Sequence, residues 1–361
     1  MRILHSESST GWGGQENRTM NEMIAMRERG HEMAIVSRPG ARIIERAKEA
    51  GFQAFAVDMR GVLDFPAIFK LRRLMSTFRA DIVNTHSGRD TQLAGVAARS
   101  LGSKRPRIVR TRHLALPITS RFTYSVLPDR VVAVSGFVRD YLISAGVPRQ
   151  QVEAVPTGIE LQRYTPAVGG GTLRSELGLS ADTVLIGTVA ILRVKKGHAD
   201  LLSAAQSVLQ SHPDVHFIIA GDGPQQENLQ RLVTQLGLSS RVHLLGLRRD
   251  VMNVLQSLDL FVLPTHQEAL GTAFIEAGAM ALPVVATNVD GVPEVVVDGE
   301  TGVLVPAQNP VALAAAIIAF LDDPQRRRQF GDNARDRVGR EFSREVMAER
   351  MQALYSRLLV V

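Results

Sequence analysis

Short, nearly unbroken runs of valine, isoleucine and leucine recur along this chain, and segments of helical period fill the spaces between them. In the first half, RILHSES (2–8), MAIVS (33–37), DIVNTH (81–86), RIVRTRH (107–113) and RVVAVS (130–135) are predicted strands, with helices over 15–29, 64–78 and 88–101. A strand with one wet face alternates polar and apolar residues, whereas a strand covered on both faces reads as a continuous apolar run. Strands of the second kind alternating with helices predict an α/β fold with parallel sheets and helices on both sides. The pattern pauses at 163–178 (RYTPAVGGGTLRSELG), then resumes with VLIGTVAIL (184–192), HFIIAG (216–221), RVHLLG (241–246), DLFVLPT (259–265) and PVVAT (283–287). A chain of 361 residues has room for two such domains. The expected division is 1–165, 166–340 and a terminal helical segment, 341–361, packing back on the N-terminal domain.

Composition narrows the chemistry. With no cysteine, disulfides, thiolate zinc sites, iron–sulfur clusters and a cysteine nucleophile are excluded. The longest apolar run, VALAAAIIAFL (311–321), falls well short of the roughly 20 residues of a spanning helix. The opening MRILHSESS lacks the apolar stretch of a signal peptide, so a cytoplasmic protein is expected. A net charge of +6 favours a polyanionic partner, and 5% aromatics without a stacking motif set nucleic acid aside in favour of a phosphorylated ligand or an anionic membrane surface. Basic residues gather at Lys70, Arg72, Arg73 and Arg79, and again at Lys104, Arg105, Arg107, Arg110 and Arg112. They are read either as solvated surface or as a dock for anionic headgroups. No HExxH, no ligand-spaced His/Asp cluster and no GxSxG occurs, so neither a metal nor serine hydrolysis is predicted.

In open α/β sheets ligands bind beyond the carboxyl ends of the strands, so two facing domains of this kind predict an interdomain cleft lined by strand-end loops. The first such loop, STGWGGQE (9–16), is glycine-rich and precedes a helix. It suits an anion at the helix N-terminus through Gly13 and Gly14, or else is a tight turn needing positive φ. It is not a dinucleotide fingerprint. Trp12 on it is expected to be a contact residue rather than core. RVKKGH (193–198) places three cations after a buried strand, a clamp for a diphosphate or a solvated loop. THQEALGTAFIEA (265–277) holds Glu268 on a loop and Glu276 about one turn inside a helix, with the amides of Leu270 to Ala273 aimed at phosphate. His86 and His113 each end a first-domain strand. His5, His31, His212, His216 and His243 are read as structural.

Taken together these blocks resemble the family 4 retaining glycosyltransferases, whose GT-B fold is two facing Rossmann-like domains. The similarity is strongest in RVKKGH, IIAGDGP (218–224), LLG (244–246), DLFVLPTHQEALGTAFIEAGAMALPVVAT (259–287), GVPEVV (291–296) and DGETGVLV (298–305). The opening GWGGQE is similar to members that build lipopolysaccharide core or related surface glycans. The resemblance implies that Lys196 binds the donor diphosphate, with Arg193 standing in for an arginine whose usual position is occupied by Ile191. It implies that Glu276 holds the ribose, Glu268 contacts the donor sugar, and Leu270, Gly271 and Thr272 offer amides to sugar and phosphates. It further implies that His113 sits beside the reacting sugar, that Gly13 and Gly14 close on phosphate or acceptor, and that Leu247 and Arg248 lie where the base is seated. The implied activity is metal-independent, retaining hexosyl transfer without a cofactor, from a nucleotide sugar (UDP favoured) to a glycan or lipid-linked acceptor. The enzyme would work in the cytoplasm or on the inner face of the cytoplasmic membrane, in lipopolysaccharide or surface-polysaccharide synthesis. The alternatives are a sugar-nucleotide 2-epimerase and a non-catalytic sugar-nucleotide binder.

Overall fold

A computed structural model describes residues 1–114, 116–166 and 171–360. Gly169 and Gly170 of the expected break lie outside them. The chain forms two compact units, one of residues 1–159 with 343–361, the other of 160–342. The sequence put the first boundary after 165 and the second after 340, but residues 160–165 and 341–342 belong to the second unit. The last helix, Arg344–Leu359, belongs to the first.

The first unit is a seven-stranded sheet of β1 (Arg2–Glu7), β2 (Glu32–Ser37), β3 (Gln53–Ala56), β4 (Ile82–Thr85), β5 (Arg107–Arg112), β6 (Arg130–Ala133) and β7 (Val152–Ala154), in the order β3-β2-β1-β4-β5-β6-β7. Every pairing is parallel, with Ile3 opposite both Met33 and Ile82. Successive residues of a strand point to opposite faces, and the core divides accordingly. Ile3, Ile35, Val109 and Val132 meet Met23 and Met26 of the helix Gly14–Glu28 and Met351 and Leu354 of the last helix. Leu4, Val36, Val83 and Ile108 meet Leu71 and Met75 of the helix Phe65–Phe78 and Leu93 of the helix Gly88–Arg99.

The second unit repeats the plan with β8 (Leu185–Val189), β9 (His216–Ala220), β10 (Val242–Gly246), β11 (Leu260–Leu263), β12 (Val284–Thr287) and β13 (Gly302–Val305), all parallel, in the order β10-β9-β8-β11-β12-β13. In each sheet the connections reverse direction once. The switch falls between β1 and β4 in the first and between β8 and β11 in the second. In open sheets of this kind such a switch point is where ligands bind, beyond the carboxyl ends of the strands.

Candidate functional site

At the second switch point, the loop after β8 and the loop after β11 are bonded into one structure. The backbone N–H of His266 donates to the Lys195 carbonyl at 2.7 Å, and Thr265 Oγ1 donates to the same oxygen at 2.9 Å. Gly197, at φ 68°, closes the turn Val194–Lys196 and opens the helix His198–Ser211. A Cβ there would stand 1.9 Å from the Pro264 carbonyl oxygen, so only glycine lets the two loops touch. This contact brings Lys196 Nζ onto Glu268 Oε2 as a half-buried ion pair. The Glu268 backbone N–H is held by Asp290 at 2.9 Å, and His266 Nε2 meets Asp200 at 2.7 Å. His198 is buried with neither ring nitrogen partnered, and burial, aided by the Lys196 charge, pushes it down to about 4.

The helix Thr272–Ala279 begins at Gly271, which takes the left-handed conformation at φ 93°. The amides of Thr272 and Ala273 have no protein acceptor among the described residues, as expected for the first turn of a helix. They leave a positive helix end beside the Lys196–Glu268 pair. Glu276 lies one turn further on, and Tyr164 Oη donates to its Oε1 at 3.0 Å. Burial holds the Glu276 carboxyl above its usual range, with the Tyr164 bond and Arg163 opposing. Tyr164 is the residue that sequence reasoning missed. It lies 112 positions away, inside the segment read as a break.

Other predicted residues fare differently. Arg193 is exposed and makes no ion pair among the described residues, so its charge is available. Leu247 is exposed. Arg248 is engaged by Asp250 at 2.6 and 2.8 Å and by Glu176 at 3.0 Å, an exposed network that consumes its guanidinium. Among the described residues no group of three or more His, Asp or Glu side chains could hold a metal ion.

In the first unit, the loop after β1 does not need its glycines for backbone reasons. Gly11, Gly13 and Gly14 avoid positive φ, and Gly13 at φ −163° is ordinary extended chain. A Cβ at Gly14 would meet nothing within 4 Å, and one at Gly13 only Glu16 at 3.6 Å. The tight-turn alternative is therefore excluded, and the space before the helix Gly14–Glu28 is open. Trp12 departs from its expected contact role. It packs against the core under the Arg46 guanidinium, 4.4 Å from the ring centroid.

Ser87 and Asp90 form a capping box at the helix Gly88–Arg99, and the His86 backbone N–H donates to Asp90 Oδ2 at 2.7 Å. That cap fixes His86 at the end of β4, where its Nδ1 lies 3.0 Å from Nε2 of His113. His5, expected to be structural only, joins them, its Nδ1 3.0 Å from His86 Nε2. Buried Glu7 faces this region. Desolvation, helped by nearby Asp90, raises its carboxyl to about 8, while burial lifts Asp90 to about 6.

The basic residues also divide. Arg105 and Arg107 are spent on Asp129, Arg110 is buried over Tyr124, and Arg112 bonds the Leu114 and Leu116 carbonyls. Lys70, Arg72 and Arg73 are exposed with no ion pair among the described residues. Beside them Leu63, Phe65 and Phe69 stand 71%, 71% and 63% exposed.

Comparison with known proteins matches both units to family models. Residues 12–163 match the model described as Glycosyltransferase Family 4, and residues 171–337 the one described as Glycosyl transferases group 1. A GDP-mannose-dependent monoacylated alpha-(1-6)-phosphatidylinositol monomannoside mannosyltransferase of Corynebacterium glutamicum is 33% identical over 55% of this chain and 54% of its own, so the chain spans about half that relative's length. A UDP-Gal:alpha-D-GlcNAc-diphosphoundecaprenol alpha-1,3-galactosyltransferase of Escherichia coli is 26% identical over 83% of this chain and 81% of its own. Among solved structures, HepE of Anabaena in complex with UDP superposes with a TM-score of 0.88 at 21% identity, covering 99% of this chain and all (100%) of its own. That likeness carries the fold.

Proposed function

The chain belongs to the family 4 glycosyltransferases, and from that membership we propose that it moves a sugar, with retention of configuration, from a nucleotide sugar to a glycan or lipid-linked acceptor. The observation that carries the reading is the joined pair of loops at the second switch point. They combine a lysine, a glutamate, a helix N-terminus with free amides and a second glutamate one turn on. Breaking a sugar–phosphate bond builds negative charge on the departing nucleoside diphosphate, and fixed positive groups stabilise it most when they need not reorganise. A helix end supplies only about half a unit charge, so Lys196 and Arg193, which makes no ion pair among the described residues, complete the clamp without a metal or other cofactor.

The donor diphosphate competes with Glu268 for Lys196. As it binds, the lysine turns to phosphate and Glu268 is released to accept hydroxyls of the donor sugar. Leu270, Gly271 and Thr272 present amides to sugar and phosphates, and Glu276, steadied by Tyr164, takes the ribose diol. Leu247 remains a base contact in this reading. Arg248, tied to Asp250 and Glu176, contributes there only if that network opens. Gly13 and Gly14 admit phosphate or acceptor, and His113 meets the reacting sugar.

The acceptor is read as lipid-linked. The names of both sequence relatives specify one, on phosphatidylinositol and on diphosphoundecaprenol. The helix Phe65–Phe78 buries Ala67, Leu71, Met75 and Phe78 and turns Phe65 and Phe69 outward beside Lys70, Arg72 and Arg73. Exposed phenylalanine flanked by cations suits the interface of an anionic bilayer, as expected of an enzyme of lipopolysaccharide or surface-polysaccharide synthesis on the inner membrane face. No helix among the described residues is long and apolar enough to cross a membrane.

Calorimetric titration of UDP, GDP, ADP and NAD into the wild type and Glu276→Ala tests the donor site. One nucleoside diphosphate is expected to bind, and the variant to weaken it by about 1–3 kcal/mol. The relatives' donors carry different bases, so the same titration names this one. Binding of none of the four, or of NAD alone, overturns the reading.

A further inference from the structure

His5 on β1, His86 just after β4 and His113 just after β5 form a continuous chain of imidazoles within the first unit. The two ring-to-ring nitrogen contacts are both 3.0 Å, and the ring centroids are 5.2 and 5.3 Å apart. A neutral imidazole carries one N–H and one lone pair, and each contact needs one of each. Three neutral rings in series therefore allow only two proton arrangements. In one, the spare N–H lies at His5 Nε2 and the spare lone pair at His113 Nδ1. In the other these are reversed.

Two neighbours select the first arrangement. At the inner end, His5 Nε2 faces Glu22 Oε1 at 3.7 Å, an oxygen that already accepts from Tyr355 Oη at 2.6 Å and Asn84 Nδ2 at 3.4 Å. An acceptor there attracts an N–H and repels a lone pair. In the middle, Thr19 Oγ1 lies 3.5 Å from His86 Nε2 while donating its own proton to the Gln15 carbonyl at 3.1 Å. It turns only lone pairs to the ring, which again requires an N–H at His86 Nε2. Both rings then donate inward, and His113 must donate from Nε2 to His86 Nδ1. The rings stay neutral because burial lowers all three, and Arg18 beside them, with Arg112 near His113, acts in the same sense against the single opposing influence of Glu22 on His5.

We propose that His5 and His86 are positioning residues that lock His113 as its Nε2–H tautomer, leaving Nδ1 as a fixed acceptor for a hydroxyl of the sugar substrate. No protein donor reaches Nδ1 among the described residues, and the His113 ring is half-buried rather than sealed. The chain of rings makes His113 neither a general acid nor a proton carrier. It makes it a selector for a sugar that presents an O–H at that point. The proposal rests on the reading that His113 meets substrate.

Nitrogen-15 NMR of the histidine rings in the full chain tests it. His113 is expected to show a pyrrole-type Nε2 and a pyridine-type Nδ1, unchanged from pH 6 to pH 8. His86→Phe is expected to mix the two tautomers and lower kcat/KM for the donor about tenfold, the value of one well-placed hydrogen bond, and His86→Gln, whose amide oxygen accepts from Nε2, to restore most of it. A His113 that is Nδ1–H, or that titrates near the free imidazole value, overturns the lock on the wild-type spectrum alone, whatever happens to the folding of the variants. A correct spectrum with His113→Ala fully active overturns the role at the sugar and leaves the nucleotide titration above untouched.

Discussion

At the ends of their strands the two units share a topology but achieve precision by different means. In the second unit the backbone itself is the tool. A Cβ at Gly197, Gly221 or Gly291 would stand 1.9, 1.9 or 2.1 Å from a main-chain oxygen, and Gly271 turns through a left-handed conformation to start the helix. The corresponding loop of the first unit has glycines that touch nothing closer than 3.6 Å, and its rigidity comes instead from buried polar side chains: His5, Glu7, Arg18, Glu22, His86 and Asp90. Each glycine contact is one backbone position meeting one carbonyl of a neighbouring strand-end loop. A buried polar network is a property of segments that meet only in the fold, and each member is costly if its partner is removed.

The largest effect that would break this contrast is expected at Gly197. Alanine there combines left-handed φ with a collision against a backbone oxygen that cannot yield, and a loss of about 4 kcal/mol is expected in urea unfolding. Gly14→Ala, with open space around it, is expected to leave stability within about 0.5 kcal/mol while lowering transfer activity. Equal destabilisation by the two would erase the distinction. Next in size is Glu22→Leu. It leaves the buried Arg18 guanidinium without its opposing charge and Tyr355 and Asn84 without their acceptor, a cost of about 3 kcal/mol. The double variant R18M/E22L is expected to recover much of this, because an apolar pair replaces a buried charged one at little cost. Failure to recover would mean that Arg18 serves chiefly through its bonds to Pro156 and Met347.

The same contrast explains what could be read before the fold was known. The ten predicted strands are each present, and they include every interior strand of both sheets. The three that went unread, Gln53–Ala56, Val152–Ala154 and Gly302–Val305, all lie at sheet edges, where a strand is partly wet, and the first two (QAFA and VEA) also lack a continuous apolar run. Lys196, Gly271, Glu268 and Glu276 were legible because each loop is a local motif. Tyr164 was not, because its link to Glu276 crosses 112 residues. The histidine chain draws one ring from each of three strands, and only the sheet order brings β1, β4 and β5 side by side. Arg248 was assigned to the base on family position, although Asp250 two residues on was the local sign of an ion pair.

Tyr164→Phe sharpens the comparison from the other side, since the bond from Tyr164 to Glu276 reaches outside the two joined loops, across 112 residues. The Glu276 carboxyl, already held up by burial, loses the hydroxyl that opposes this rise. Binding of the nucleoside diphosphate is expected to weaken by about 2 kcal/mol, close to thirtyfold, with the unfolding midpoint little changed. An unchanged affinity would mean that the second unit's site needs no partner beyond its own two loops.

The smallest expected effect is the pH dependence that Glu7 contributes in the first unit. Glu7 keeps its proton in the fold to about pH 8, whereas an unfolded glutamate releases it near 4.5. Between those values the folded chain binds more protons at this site than the unfolded one, so stability falls as pH rises. The lowered imidazoles of His5, His86 and His113 act oppositely. The unfolded chain binds more protons there below about 6.5, so their contribution is lost as pH falls through that range. Above it they are neutral in both states, and between pH 6.5 and 8 the Glu7 carboxyl carries a decline of its own. Glu7→Gln, which imitates the protonated side chain toward Ser9 and Gln15, is expected to remove that decline, its stability relative to the wild type rising by about 1.6 kcal/mol from pH 6.5 to pH 8. Hydrogen exchange should locate the gain in β1 and its neighbours β2 and β4, with the second sheet unmoved. An equal gain at both pH values would mean that the side chain is ionised in the fold after all, and that the first unit tolerates a buried charge where its neighbours leave no counterion.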